Sequence, residues 1–321
     1  MDFFEILFPV SGVKTHVFIP PLVALVVSFF TSMGGISGAF LLLPFQMSVL
    51  NYTSPSVSGT NFVFNIVAIP SGVYRYIREK RMAWPMTWVV AAGTLPGVFI
   101  GYYLRVAYLP DPKAFKLFVG CVLLYIGVRL LYEMTGKAAA GKEKTKALEE
   151  RFRQRAAEMK QKQSARFAAG LPPEAVVRTV SFSISRVEYE FWGERFSFST
   201  GGMLVLAFFV GIIGGTYGIG GGAIIAPFCV AVFHLPVYTV AGAALMGTFI
   251  TSIAGAAFYS LVPSSLNTSP DWLLGLLFGA GGFAGMYLGA RFQKFVPQRF
   301  IKLMLGLIIV FLSVKYIIEY F

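Results

Sequence analysis

Long apolar stretches separated by short polar loops make up most of this chain, and their lengths predict membrane helices. Six stretches approach or exceed the roughly 20 residues that a spanning helix needs. They occupy residues 56–77, 84–104, 116–132, 237–261, 272–291 and 302–320. Two further apolar runs are cut by glycines before either piece can span: 17–30 with 39–50, and 203–213 with 223–233. We expect each to form a helix–break–helix hairpin that dips into the bilayer; one broken spanning helix is the alternative.

The two breaks have matching sequences. Residues 31–44 read T-S-M-G-G-I-S-G-A-F-L-L-L-P, and residues 214–227 read G-G-T-Y-G-I-G-G-G-A-I-I-A-P, with an offset of 183 between them. Offsets of 186 to 188 relate the later helices, including the glycine triplets 93/97/101 and 281/285/289. Glycines four residues apart share a helix face and let another backbone approach closely. The agreement indicates a duplication, with residues 1–133 and 201–321 as two membrane repeats.

The region between the repeats, residues 134–200, differs in kind. Charges of both signs and helical spacing of apolar residues over 137–166 predict a solvated amphipathic helix. Apolar and polar residues then alternate between 180 and 198, which is typical of a small antiparallel sheet. We expect a small cytoplasmic α+β insert that packs on itself or on a second subunit; a ligand-sensing role is the alternative.

Composition and charge agree with a membrane protein. The chain has 321 residues, of which 56% are hydrophobic and only 13% charged, whereas soluble domains carry about a quarter charged residues. The net charge of +12 lies mainly in a few loops, where the preference of basic residues for the cytoplasm explains it without nucleic acid. The N-terminus has acidic residues and no basic region, so we expect no cleaved signal peptide.

Loop charges predict how the repeats are oriented. The loop around residues 75–81 holds four basic residues, while its counterpart at 263–271 holds none. If basic loops and the insert are cytoplasmic, corresponding loops lie on opposite sides of the membrane. The predicted fold is therefore an all-α polytopic membrane protein of two inverted repeats. Each repeat has one re-entrant hairpin and three transmembrane helices, and both termini face outside.

The breaks are the candidate binding site. Each starts a new half-helix, whose first amides lack intrahelical partners and carry the positive end of the helix dipole. Such ends bind anions without a buried lysine or arginine, and no predicted span has a charge near its centre. The candidate substrate-binding residues are Ser32, Gly34, Gly35, Ser37, Gly38, Asn61, Asn65, Thr216, Tyr217, Gly220, Gly221, Gly222 and Thr248. Helix packing is the alternative for the glycines, and interhelical hydrogen bonding for the asparagines.

These motifs resemble the TauE/SafE sulfite exporter family, also called the toluene sulfonate uptake permease family. The resemblance rests on G-G-I-S-G-A-F-L-L-L-P, on G-I-G-G-G-A-I-I-A-P, on the paired segments 57–61 and 240–244, and on the duplicated layout. It covers both membrane repeats but not the insert. It implies a multi-pass transporter of the bacterial inner membrane that carries sulfite, sulfonates or related small sulfur-containing anions.

Other function classes remain open at this point. Gly35-Ile36-Ser37-Gly38 also fits the G-x-S-G of intramembrane serine proteases, but the only histidines, His16 and His234, lie near segment ends. An anion channel with the same amide-lined site is a further alternative. We expect no enzyme activity, no cofactor and no metal site, and we interpret Cys121 and Cys229 as reduced packing residues. The expected partners are a small anion and membrane lipid, with a homodimer through the insert or the glycine-rich helices left open.

Overall fold

The computed structural model describes residues 4–33, 36–78, 80–132, 176–191, 193–233, 235–292 and 298–321. The first half contains β1 (Glu5–Leu7), β2 (Lys14–His16), α1 (Ile19–Met33), α2 (Ala39–Ser48), α3 (Ser56–Arg78), α4 (Trp84–Tyr103) and α5 (Pro112–Tyr132). A π-helical turn, Leu104–Tyr108, extends α4. Next come β3 (Arg178–Phe182), β4 (Arg186–Phe191) and β5 (Glu194–Ser199). The second half contains α6 (Thr200–Tyr217), α7 (Gly222–Val232), α8 (Val237–Leu261), α9 (Trp272–Phe292) and α10 (Gln298–Ile318).

Several helices can cross a bilayer. Among the described residues, five helices are both long and apolar enough: Trp84–Tyr108, Pro112–Tyr132, Thr200–Tyr217, Thr239–Leu261 and Trp272–Gly289. Helix α3 has 23 residues, about 34 Å at 1.5 Å per residue, but it carries buried polar groups such as Asn61 and Asn65. The chain is a mostly helical, multi-pass membrane protein.

Two helix pairs, α5–α10 and α3–α8, pack antiparallel. In the α5–α10 pair, Gly120 faces Tyr316 and Gly127 faces Val310, so residue numbers rise on one helix as they fall on the other. Lys116 at the start of α5 forms an ion pair of 2.8 Å with Glu319 just beyond α10, and this hydrogen bond lowers the pKa of Glu319. Helices α3 and α8 are also antiparallel, with contacts such as Gly59 to Tyr259 and Gly72 to Leu245.

The glycine triplets bring helices of opposite halves into close parallel contact. Gly93, Gly97 and Gly101 on α4 lie against the backbone of α6 at Leu204, Phe208 and Ile212. Gly281, Gly285 and Gly289 on α9 lie against α1 at Pro21, Leu25 and Phe29. A Cβ atom on any of these glycines would collide with a carbonyl oxygen of the facing helix. The expectation that these glycines admit another backbone is confirmed, and the partner in each case is the first helix of the other half.

Two groups of contacts mark the opposite ends of the helix bundle. One end carries the β1–β2 hairpin, and we call it the terminal end. There Ser11 donates to Asp271 and Arg105 donates to the Thr53 carbonyl, close to where α3 begins. At the sheet end, the amide of Val177 donates to the Lys80 carbonyl, just beyond the last residue of α3. The length of α3 therefore separates the two ends.

Helices α6 and α7 form a hairpin that enters and leaves at the sheet end. Thr200, the first residue of α6, donates its amide to Ser185. Phe233, just after α7, packs its ring 6.2 Å from that of Phe198. Thr239, in the first turn of α8, hydrogen-bonds Tyr189 at 2.8 Å. The start of α6, the end of α7 and the start of α8 all contact the same sheet.

One face of the three-stranded sheet packs on the membrane helices, a contact that we did not predict for the insert. Its strands pair antiparallel in the order β3–β4–β5. Val187, Tyr189, Phe191 and Phe198 are buried because the helix ends cover one face, and this burial raises the pKa of the Tyr189 phenol. The outer strand β3 is exposed throughout. The predicted helix over 137–166 lies outside the described residues.

One predicted helix boundary needs correction, and one element was not predicted. Helix α6 continues through Gly214 and Gly215 to Tyr217, whereas the glycines predicted a break from 214. It continues because the Gly214 carbonyl accepts amides from the following turn, including Gly218 at 2.9 Å, and Gly218 (φ +86°) then ends the helix in the left-handed conformation. The antiparallel N-terminal hairpin β1–β2 was also not predicted, since its strands have only three residues each.

Candidate functional site

One side chain joins the two breaks. Asn65 accepts a hydrogen bond of 2.6 Å from the Ser37 hydroxyl in the first break. Its amide nitrogen donates at 3.1 Å to the carbonyl of Ile219 in the second break. Asn65 is fully buried, with nine residues of α3 before it and thirteen after it. The two breaks therefore meet beside the middle of α3.

A second contact ties the same elements together. The phenol of Tyr217, the last residue of α6, donates at 2.9 Å to the carbonyl of Phe40 in the first turn of α2. The two aromatic rings stack with centroids 6.4 Å apart. Asn61, one turn before Asn65, donates at 3.0 Å to the carbonyl of Ala39. These bonds hold the start of α2 against both α3 and the second break.

The two half-helices differ in how their first amides are satisfied. Gly38 precedes α2 and Gly221 precedes α7, and neither position supplies a capping hydrogen bond. The amide of Ala39 is bonded to the Ser37 hydroxyl at 3.3 Å. Within the described ranges, the amides of Gly221 and Gly222 have no acceptor. The start of α7 therefore presents free donors at the positive end of a helix dipole.

Buried hydroxyls without partners lie close to the breaks. The hydroxyl oxygens of Ser28, Thr31 and Ser252 are fully enclosed and find no hydrogen-bond partner among the residues that the structure describes. A Cβ atom placed on Gly38 would lie 2.5 Å from the Ser28 oxygen, and one on Gly220 would lie 3.3 Å from the Ser252 oxygen. A buried polar group without a partner costs about 1–3 kcal/mol, so such groups call for an explanation such as a ligand.

Comparison with known proteins identifies the family. The family model described as "Sulfite exporter TauE/SafE" matches residues 21–316, which include both breaks and both halves. This chain belongs to the TauE/SafE sulfite exporter family. The resemblance inferred from the two glycine breaks is thereby confirmed, and the chain is a membrane transporter.

Two curated relatives from Bacillus subtilis (strain 168) carry transporter names. "Probable membrane transporter protein YunE" is 21% identical over 297 residues, which cover 90% of this chain and 92% of that protein. "Probable membrane transporter protein YdhB" is 30% identical over 95 residues, covering 30% of this chain and 37% of that protein. No solved structure matches the chain.

Close packing explains the glycines at the starts of the half-helices α2 and α7. Gly38 (φ −61°) and Gly221 (φ −63°) have ordinary helical backbones, so neither needs a left-handed conformation. A Cβ on Gly221 would overlap the Thr94 side chain, and one on Gly222 would overlap the Ala244 carbonyl oxygen. Among the described glycines of the breaks, only Gly218 (φ +86°) and Gly220 (φ +73°) adopt the left-handed conformation that glycine readily permits.

Some of the predicted site residues use their polar groups elsewhere. The Ser32 hydroxyl donates to Phe29 at 3.2 Å, and its side chain lies against Gly289 of α9. The Thr216 hydroxyl donates to the carbonyls of Gly101 and Ile212. Thr248 faces Gly220 and Gly222 but donates its hydroxyl to Ala244 at 2.9 Å. Gly34 and Gly35 lie outside the described residues.

Sequence reasoning missed two residues at this site. Gln46 on α2 is fully buried, donates at 3.4 Å to Asn61 and leaves its own carbonyl oxygen without a partner. Ser28 faces Gly38 from α1. A glutamine inside a ten-residue apolar helix was the available signal for Gln46. A serine in an apolar helix is too common to single out Ser28.

Proposed function

We propose that this protein is a secondary transporter of the bacterial inner membrane for small sulfur-containing anions, such as sulfite and sulfonates. The anion binds where the two breaks meet and is carried by alternating access. The observation that carries the proposal is the bridge from Ser37 through Asn65 to Ile219, because it brings the starts of two half-helices together beside the middle of α3.

The chemistry of the junction suits an oxyanion. Free amides at the start of α7 and the dipoles of two half-helices favour negative charge. The Ser28 and Ser252 hydroxyls can each donate to an oxyanion oxygen. All the side chains that contact one another at this junction are uncharged, so the anion would be held by dipoles and hydrogen bonds. Broken helices with such ends are a known device of transporters.

An inverted repeat supports alternating access. Helix pairs α3–α8 and α5–α10, which correspond under the sequence offsets, pack antiparallel, as a twofold axis in the membrane plane requires. The contact of α4 with α6 also corresponds to that of α9 with α1. One hairpin would then enter from each side of the bilayer, and rocking of one repeat against the other would open the junction to each side in turn.

The proposed orientation can be tested by labelling single cysteines. The sheet end should be cytoplasmic, because Arg75, Arg78 and Lys80 lie there. We expect Ser265→Cys, at the terminal end, to react with a membrane-impermeant maleimide in intact cells. Arg78→Cys should react only after permeabilisation. Cys121 is exposed, so both variants belong in a background that lacks it. Labelling of Arg78→Cys alone in intact cells would contradict the orientation.

The protease alternative gains no support from the geometry. The Ser37 hydroxyl donates to Asn65, and an amide oxygen is not a base that could activate a nucleophile. His16 lies on β2 of the N-terminal hairpin, at the terminal end of the bundle. An anion channel would use the same amides, and a flux too fast for a conformational cycle would favour it.

Ser252→Ala tests the binding site directly. Its hydroxyl makes no hydrogen bond, so removing it should leave thermal stability equal or slightly raised. If this hydroxyl donates to the bound anion, the affinity for sulfite should fall by about tenfold or more, since a bond to a charged group contributes about 1.5–3 kcal/mol. Isothermal titration of the purified protein with sulfite under anaerobic conditions measures this.

Ser260→Ala is the matched control on the same helix. Its hydroxyl already donates to the Ala256 carbonyl at 2.7 Å, so its loss should not alter anion affinity. Unchanged sulfite affinity in a folded Ser252→Ala protein would remove the support that the free hydroxyl gives to this site.

A further inference from the structure

Arg105 is a buried cation without a counter-ion. Its side chain is fully enclosed in the π-helical turn that ends α4, at the terminal end of the bundle. None of the ion pairs among the described residues includes it. A buried charge is costly unless it is paired, and π-helical turns occur frequently at functional sites.

The surroundings of Arg105 satisfy only part of its guanidinium group. One terminal nitrogen donates to the Leu109 carbonyl and the other donates at 3.1 Å to the Thr53 carbonyl. The Phe115 ring covers one face, with its centroid 3.7 Å from the guanidinium carbon. The Nε–H group has no partner. Both terminal nitrogens are thus engaged, while the Nε–H group finds no partner among the described residues.

Among the described residues, the carboxylates at this end of the protein are engaged elsewhere, and Glu5 on the N-terminal hairpin pairs with Lys14 at 2.9 Å. Asp111, six residues along the chain, is exposed and accepts the Ala114 amide at 2.8 Å. Asp271 accepts from Ser11 and from the amide of Leu274. Glu319 pairs with Lys116. The charge of Arg105 is therefore left for a ligand.

The helix that carries Arg105 also contacts the second break. Tyr102 on α4 packs its ring 4.9 Å from that of Tyr259 on α8, whose phenol donates at 3.2 Å to the carbonyl of Gly215, in the last turn of α6. Thr53 and Leu109, whose carbonyls hold Arg105, are only half-buried. Arg105 thus lies just beneath the terminal surface, on the side of the junction that would open to the outside.

We propose that Arg105 is the charged group of a second anion site, which the transported anion occupies between the outside and the junction of the breaks. The free Nε–H group would donate a charge-assisted hydrogen bond to an oxygen of a sulfite or sulfonate group. Opening of the terminal end exposes the site, and the bound anion offsets the buried charge. This inference rests on the proposed transport function.

Arg105→Gln tests the second site, with Lys113→Gln as the matched control. Both changes remove one positive charge from the α4–α5 turn, but Lys113 is exposed. In titrations with sulfite or methanesulfonate, we expect Arg105→Gln to weaken anion binding by about tenfold to a hundredfold, the range of a charged hydrogen bond. Lys113→Gln should bind as the unaltered protein does. The rise in melting temperature that the anion causes should shrink only in Arg105→Gln.

The outcomes separate this inference from the proposed function. Equal anion affinity in Arg105→Gln and the unaltered protein would overturn the second site and leave the transport function standing. Failure of the unaltered protein to bind either anion would overturn both. If Arg105→Gln does not fold, Arg105→Lys keeps the charge without the planar edge, and we expect it to bind about threefold to tenfold more weakly. Unchanged affinity in Arg105→Lys would then count against the site.

Discussion

Gly222→Ala is expected to yield little or no folded protein. Gly222 is the first residue of α7, and a Cβ there would overlap the Ala244 carbonyl oxygen and the Thr248 hydroxyl. A backbone carbonyl cannot turn aside as a side chain can, so the whole half-helix would have to move away from α8. We expect a cost of ~3 kcal/mol or more, against a total stability of only about 5–15 kcal/mol. Size-exclusion chromatography and thermal melting in detergent would measure it.

Gly201→Ala is the control for this substitution. Gly201 lies in the first turn of α6, and a Cβ there would meet no atom within 4 Å. Alanine in a helix is favoured over glycine by roughly 0.5–1 kcal/mol, so this variant should be as stable as the unaltered protein or slightly more so. A Gly222→Ala protein that melts within about 2 °C of the unaltered one would contradict the close packing of α7, because that shift corresponds to only about 1 kcal/mol.

Asn65→Ala should abolish most transport. The substitution leaves the Ser37 hydroxyl and the Ile219 carbonyl without their shared partner, and both are buried. Each orphaned group costs about 1–3 kcal/mol, and each 1.4 kcal/mol is a factor of ten. If the arrangement of the two breaks creates the binding site, uptake or efflux of radiolabelled sulfite in proteoliposomes should fall on the order of a hundredfold.

Ser37→Ala and Asn61→Ala are the controls. They distinguish the effect of losing the Asn65 bridge from the effect of losing any buried polar group. Ser37→Ala leaves the bond from Asn65 to Ile219 in place and should reduce transport by less than about tenfold. Asn61→Ala removes a buried amide of the same size that bonds only to α2. Transport by Asn65→Ala that equals that of Asn61→Ala, in protein of equal stability, would show that the bridge between the breaks has no special role.

The sequence located the elements of this protein because their signals are local. A bilayer fixes the length of an apolar helix, so apolar stretches such as 84–104 and 237–261 marked helices directly. The spacing of Gly93, Gly97 and Gly101 indicated a face for close helix contact, since residues four apart lie on the same side of a helix. The duplicated glycine breaks also identified the TauE/SafE family. Boundaries were less accurate, because the hydrogen bonds to Gly214 carry α6 past two glycines.

The partners of these elements were decided only by the tertiary structure. The glycine face of α4 receives α6, far away along the chain, and no local pattern specifies that choice. Thr216 was a candidate ligand by position, yet its hydroxyl is satisfied by α4, whereas Ser252 is left without a partner because its neighbours offer none. In the sequence, Arg105 directly follows the apolar stretch 84–104 and has no feature that marks it. It becomes a buried cation because Thr53 and Phe115 fold over it, and such long-range contacts decide which polar groups remain free for a ligand.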